Sequence, residues 1–233
     1  MIAENLAQLR KKIEATCKNC SRTVSDLRLI AVSKYFSTDS ILETNQFGVL
    51  DFGENRAQEL TLKYDKIGDS VIWHFIGTLQ KNKVKYVVRT AEYIHSVDSA
   101  NLIDEINKHA EKIDKVQKIL LEVKTSAEET KSGIETEKEI FNLVEKCNTC
   151  KNIKLIGLMT MAPLTEDVNI IRKSFRDLCI LKNKINENGY NLTELSMGMT
   201  SDFEIAIEEG ATMLRIGSAI FGERDYSKDW RNV

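Results

Sequence analysis

The chain is poor in the features that mark membranes and polyanions. Lys and Arg total 33 against 35 Asp and Glu, a formal net charge of −2, so no basic surplus points to nucleic acid or an anionic lipid surface. Nowhere do 18 apolar residues run uninterrupted, and the opening Met1-Ile2-Ala3-Glu4-Asn5-Leu6 lacks a basic segment leading into an apolar stretch. The expectation is a soluble, cytoplasmic protein with neither nucleic acid nor membrane as partner. No G-x-G-x-x-G turn follows the first apolar run, where the residues are instead Ser33-Lys34-Tyr35-Phe36-Ser37, which disfavours a dinucleotide-binding open sheet. No low-complexity linker or shift in composition marks a boundary, so residues 1–233 are expected to form a single domain.

Cysteine is scarce, at five residues, although Cys17/Cys20 and Cys147/Cys150 both show C-x-x-C spacing, with Cys179 left over. Thiolate zinc sites draw their pairs from short, turn-rich knuckles, whereas these pairs sit near the ends of helical patterns more than half the chain apart. Reduced structural cysteines are the expected reading, with no metal.

What is present is an alternation of short apolar runs and longer amphipathic stretches. An opening helix over 3–20 carries Leu6, Leu9, Ile13 and Cys17 at helical spacing. Strand patterns follow at 28–33, 50–53, 72–76, 93–97, 117–123, 154–159, 193–197 and 212–216. Helical patterns lie between them at 38–47, 56–65, 79–89, 99–112, 135–148, 167–188 and 201–209, with 217–233 as a last candidate. Eight strand-helix units with strands apolar on both faces predict an α/β protein, a (β/α)8 TIM barrel with an extra N-terminal helix. An open doubly wound sheet is the alternative.

In such a barrel the chemistry sits at the C-terminal ends of the strands. Lys34 closes the run Leu27-Arg28-Leu29-Ile30-Ala31-Val32-Ser33-Lys34 and delivers one amine to that rim. Desolvation there disfavours a charged amine and favours the neutral nucleophile needed for a Schiff base. The seventh and eighth runs end in Ser196-Met197-Gly198-Met199-Thr200-Ser201-Asp202 and Arg215-Ile216-Gly217-Ser218. The spacing Ser201-Asp202-Phe203-Glu204 reads as a capping box that starts a helix and leaves backbone N–H groups free for an anion. Barrels commonly hold phosphate at these two loops, although an ordinary strand-to-helix turn gives the same pattern. An amine opposite a phosphate cup suggests an aldehyde bearing a phosphate, and pyridoxal 5′-phosphate fits. The amine would be Lys34, and the phosphate would lie on the loops carrying Ser196, Met197, Thr200, Gly217 and Ser218. Arg215 would face the pyridine nitrogen, where a permanently cationic donor weakens the ring as an electron sink.

Several segments are similar to the pyridoxal phosphate homeostasis protein family, which itself resembles the N-terminal barrel of alanine racemase. They are Ala31-Val32-Ser33-Lys34, Phe52-Gly53-Glu54-Asn55, Trp73-His74-Phe75-Ile76-Gly77, Gly157-Leu158-Met159-Thr160-Met161-Ala162-Pro163, Leu195-Ser196-Met197-Gly198-Met199 and Arg215 through Gly222. The similarity runs from about residue 5 to residue 226. It implies a fold-type III barrel with the cofactor on Lys34, Asn55 within the cofactor site, and a role in buffering or delivering the cofactor and in amino-acid and keto-acid balance. PLP-dependent apo-enzymes are the partners that this role implies. The chain departs from the family pattern at Thr78 and Lys81, at Tyr35-Phe36 beside the lysine, and at Thr200, which keeps a hydroxyl where serine is common.

Two readings of activity remain. A two-base racemase needs a proton acceptor on each face of the cofactor, and barrel racemases draw the second from an added domain or a partner subunit. Only a short tail follows the eighth strand here, and Tyr64, Tyr86, Tyr93, Tyr190 and Tyr226 read as packing or surface residues. A monomeric cofactor carrier is therefore expected, with a weakly active racemase or lyase as the alternative. His74 is placed at the inner rim after the third strand, where it either bonds near the cofactor or is a structural rim histidine.

Overall fold

The computed structural model describes residues 1–125 and 133–223. Its strands are β1 (Arg28–Val32), β2 (Asp51–Glu54), β3 (Ile72–Phe75), β4 (Tyr93–Val97), β5 (Gln117–Glu122), β6 (Ile153–Met159), β7 (Glu194–Ser196) and β8 (Met213–Ile216). All pair in parallel in sequence order, and β1 pairs with β8 to close the barrel. The helices are α1 (Ile2–Asn19), α2 (Thr38–Gln46), α3 (Ala57–Ile67), α4 (Val84–Thr90), α5 (Ala100–Glu111), α6 (Glu137–Thr149), α7 (Val168–Glu187), α8 (Phe203–Glu208) and α9 (Ser218–Phe221). Of the predicted helix over 217–233, only α9 forms in the described part, ending at its C-cap Gly222; residues 224–233, with Tyr226, lie outside the described residues.

Side chains alternate across each strand, and the two faces feed two cores. Outward residues such as Phe52, Trp73, Phe75 and Leu121 pack under the helices. Inward residues Ile30, Tyr93, Leu120, Ile156, Met159 and Met213 form a separate cluster inside the barrel. Helix α1 buries Leu6, Leu9, Ile13 and Cys17 along the barrel's outer layer, where Asn5 Nδ2 donates to the carbonyl of Ile220 at 2.9 Å.

Two predicted helix starts shift. The pattern from 79 does not open a helix: Leu79 and Val84 lie five residues apart, off the helical period, and a short 3-10 turn over Lys81–Lys83 precedes α4. The capping box expected at Ser201 is also absent. Helix α8 begins at Phe203, and Asp202 Oδ1 instead accepts the Met199 N–H at 2.5 Å, closing the loop after β7.

Gly157 shows how tightly the barrel closes. A Cβ at this position would lie 1.9 Å from the carbonyl oxygen of Glu194 on the paired strand, so backbone would have to move. Gly157→Ala is expected to cost about 3 kcal/mol and to lower Tm by about 6–12 °C. Thermal unfolding followed by circular dichroism measures it, and an unchanged Tm would refute the close approach.

Candidate functional site

A cavity of about 670 Å³ opens at the C-terminal ends of the strands. Its wall brings together Lys34, Asn55, Thr200, Arg215, Gly217 and Ser218, which the sequence places on four separate strand ends. A second cavity, of about 600 Å³, lies at the opposite mouth around Arg28 and Asp51 and holds none of them.

Lys34 follows β1 directly, and its neighbours are anchored on both sides. Ser33 Oγ donates to Glu54 Oε1 at 2.7 Å, and Lys63 Nζ donates to the Ser33 carbonyl at 2.8 Å. Tyr35 adopts φ +69°, a left-handed conformation costing about 1–2 kcal/mol for a residue with a Cβ, and its N–H donates to Glu59 Oε1 at 2.6 Å. The Tyr35 ring lies under the Arg56 guanidinium at 4.9 Å, and Phe36 stacks on Phe221 with ring centroids 4.7 Å apart. The unusual Tyr35-Phe36 pair thus ties the lysine loop to α9 and to the loop after β2.

Behind this loop Lys63, Glu54 and Glu59 form a buried ionic cluster, with Lys63 Nζ 2.7 Å from Glu54 Oε1 and 2.8 Å from Glu59 Oε1. Burial pushes the Glu54 carboxyl up to about 7 against the pull of Lys63, and Glu59 adds to the rise.

Arg215 is buried in the pocket wall. One of its terminal nitrogens donates to Ser196 Oγ at 2.6 Å and the other to the Thr160 carbonyl at 2.9 Å. Burial lowers its ordinary value to about 10, with Asp202 and Glu122 opposing, so it remains cationic at neutral pH. Thr200 Oγ1 accepts the Ala219 N–H at 3.4 Å and joins the loops after β7 and β8. Asn55 Oδ1 is buried without a hydrogen-bond partner among the described residues. Its backbone is fixed by Gly77, where a Cβ would lie 2.2 Å from the Asn55 carbonyl oxygen.

Three candidates do not line the cavity. Met197 is fully buried in the outer core, while Ser196 and His74 are fully buried inside the barrel. His74 is therefore no rim residue. Its Nδ1 lies 2.9 Å from His95 Nε2 and its Nε2 2.8 Å from Asp51 Oδ1, so the ring is engaged below the pocket floor.

The sequence reading passed over Glu122, a pocket residue only 4% exposed. Burial, with Asp98 adding and Arg215 opposing, raises its carboxyl to about 7. In the sequence the apolar run continues through Val123 to Lys124, so the strand-end position that marks Lys34 points here to Lys124 instead of Glu122.

None of the five cysteines lines this cavity. Cys17 and Cys147 are buried and Cys20, Cys150 and Cys179 half-buried, all of them free thiols, and burial pushes the Cys147 thiol up to about 12. No group of three or more His, Cys, Asp or Glu among the described residues is placed to hold a metal ion. No described helix is long and apolar enough to cross a membrane.

Residues 2–225 match the alanine racemase N-terminal domain family. A pyridoxal phosphate homeostasis protein of Aquifex aeolicus is 43% identical over 228 residues, covering 96% of this chain and 98% of that protein. Its Escherichia coli K12 counterpart is 35% identical over 97% of this chain and 98% of that protein. Among solved structures, PipY of Synechococcus elongatus with PLP bound superposes with a TM-score of 0.85 at 32% identity, covering 95% of this chain and all of PipY. An alanine racemase of Clostridium difficile shares the fold at a TM-score of 0.76 and 14% identity, this chain spanning 57% of it. By sequence along its full length and by its eight-stranded barrel, the chain belongs to the pyridoxal phosphate homeostasis protein family.

Proposed function

We propose that this chain binds pyridoxal 5′-phosphate reversibly, with Lys34 as its covalent anchor, and buffers or delivers it in the cytoplasm to PLP-dependent apo-enzymes. The observation that carries this reading is the convergence of Lys34, Arg215 and the two loops joined through Thr200 on one cavity. The residues present fit the group: an amine, a cationic donor, loop amides and hydroxyls for a dianion, and the unpartnered Asn55 Oδ1 for a ring hydroxyl or N–H. When bound, the cofactor supplies an aldehyde that condenses with an amine, releasing water, and a ring that draws electrons from the new bond. Lys34 provides the amine, and its anchored neighbours hold it at the strand end. Thr200, Ser218 and the amides around Gly217 receive the phosphate. Arg215 donates toward the ring nitrogen and, staying cationic, keeps a proton off it, which favours holding the cofactor over driving carbanion chemistry.

Glu122 favours the second reading. A pocket carboxyl with a value near 7 is suited to exchange protons at neutral pH, as a weak racemase or lyase would require. Loaded protein mixed with the apo form of a PLP enzyme is expected to restore that enzyme's activity, while a panel of amino acids shows no turnover above free cofactor. Steady turnover that vanishes in Lys34→Ala and Glu122→Gln would replace the carrier reading with the enzymatic one.

A further inference from the structure

A single file of side chains crosses the barrel interior from one mouth to the other. At the N-terminal mouth an Arg28 nitrogen donates to Asp51 Oδ1 at 2.8 Å. Asp51 Oδ1 lies 2.8 Å from His74 Nε2, His74 Nδ1 lies 2.9 Å from His95 Nε2, and His95 Nδ1 lies 2.8 Å from Ser196 Oγ. Ser196 Oγ then accepts from Arg215 in the pocket wall at 2.6 Å. His74, His95 and Ser196 have no exposed surface at all.

The two ends fix which way every proton points. An arginine only donates, and an ionised carboxylate only accepts. Burial works against ionised Asp51, but hydrogen bonds from His74 and Arg28 outweigh it and hold the carboxyl below its usual range. His74 must then carry its proton on Nε2. Burial lowers both histidines, and for His95 the neighbouring His74, Arg215 and Arg28 lower it further, so both are neutral. A neutral His74 accepts at Nδ1, which places the His95 proton on Nε2. His95 Nδ1 in turn takes the Ser196 hydroxyl proton, leaving a serine lone pair for Arg215. Reversing any link would leave two donors or two acceptors facing each other in a dry interior.

We propose that Asp51, His74 and His95 are positioning residues that make Ser196 a one-way acceptor for Arg215. They thereby lock the guanidinium as a donor toward the ring of the bound cofactor. This rests on the cofactor reading above, but its first test does not. In the cofactor-free protein, 15N-edited NMR at about pH 7.5 should show His74 and His95 as neutral Nε2–H tautomers. The third histidine, His109, is identified by its loss in His109→Gln. A protonated ring or an Nδ1–H tautomer at either site would overturn the proposal, whatever binds at Lys34.

The second test reads the far end of the file. Asp51→Asn, at the opposite mouth, and Ser196→Ala should each release pyridoxal phosphate about tenfold faster and shift its bound absorption, since one charge-assisted bond is lost. Folded variants with unchanged release and spectrum would refute coupling through the file. A wild-type protein that takes up no cofactor would refute the cofactor reading and leave the tautomer result standing.

Discussion

Lys34→Ala is expected to abolish the covalent adduct between the protein and pyridoxal phosphate completely. Borohydride treatment of the wild type loaded with cofactor should fix one carbon–nitrogen bond per chain, found by mass spectrometry on the peptide carrying Lys34. The variant should yield none and should lose the long-wavelength absorbance of the lysine-linked cofactor. The expectation is sharp because Lys34 is the one lysine lining the cavity among the described residues. Lys63 sits close in space but is only 2% exposed, with its ammonium committed to Ser33, Glu54 and Glu59. The phosphate loops and Arg215 are untouched by the substitution, so weak non-covalent uptake should persist. That residue of binding separates loss of the anchor from collapse of the site. A full-yield adduct in Lys34→Ala, on any other lysine, would end the assignment.

The barrel was legible because its signal is local. Each strand is a short apolar run, and all eight fall within a residue or two of their expected bounds, as with β4 at Tyr93–Val97. Lys34 and Arg215 were legible for the same reason, since each breaks an apolar run where the fold places chemistry. Glu122 gives no such signal, because the run continues through Val123 and Lys124 takes the apparent strand end. His95 and Asp51 could not be found this way. The bond between His95 and Ser196 joins residues 101 apart in sequence, and only closure of the barrel, which sets the inward layer of each strand, brings them together. The pair Glu59 and Lys63 is a different case. Spaced i,i+4 on a helix, it reads as a solvated surface bridge, yet α3 turns it inward against the end of β1, where both side chains are at most 2% exposed.

That inward turn makes Lys63→Met the substitution with the largest expected effect on stability. The cluster holds one ammonium against two carboxylates, and Glu54 Oε2 and Glu59 Oε2 have no partner among the described residues. Removing the only cation leaves two buried acids facing each other and takes the donor from the Ser33 carbonyl. A loss of about 3–5 kcal/mol is expected. The loss should depend on pH with a definite sign. Burial already raises Glu54 to about 7 in the folded protein, and an acid raised by folding stabilises below its unfolded value and loses that contribution as pH rises through the folded one. Without Lys63 the carboxyl rises further, so the variant should be nearest to wild type at about pH 5 and worst at about pH 8. Urea titrations at the two pH values measure this, and an equal deficit at both would mean that Lys63 contributes packing alone. Adding Glu54→Gln and Glu59→Gln should recover most of the loss, because neutral amides keep the oxygens that receive Ser33 and the Tyr35 N–H. The same triple variant should retain Tyr35 at its left-handed φ, and with it the strand-end placement of Lys34.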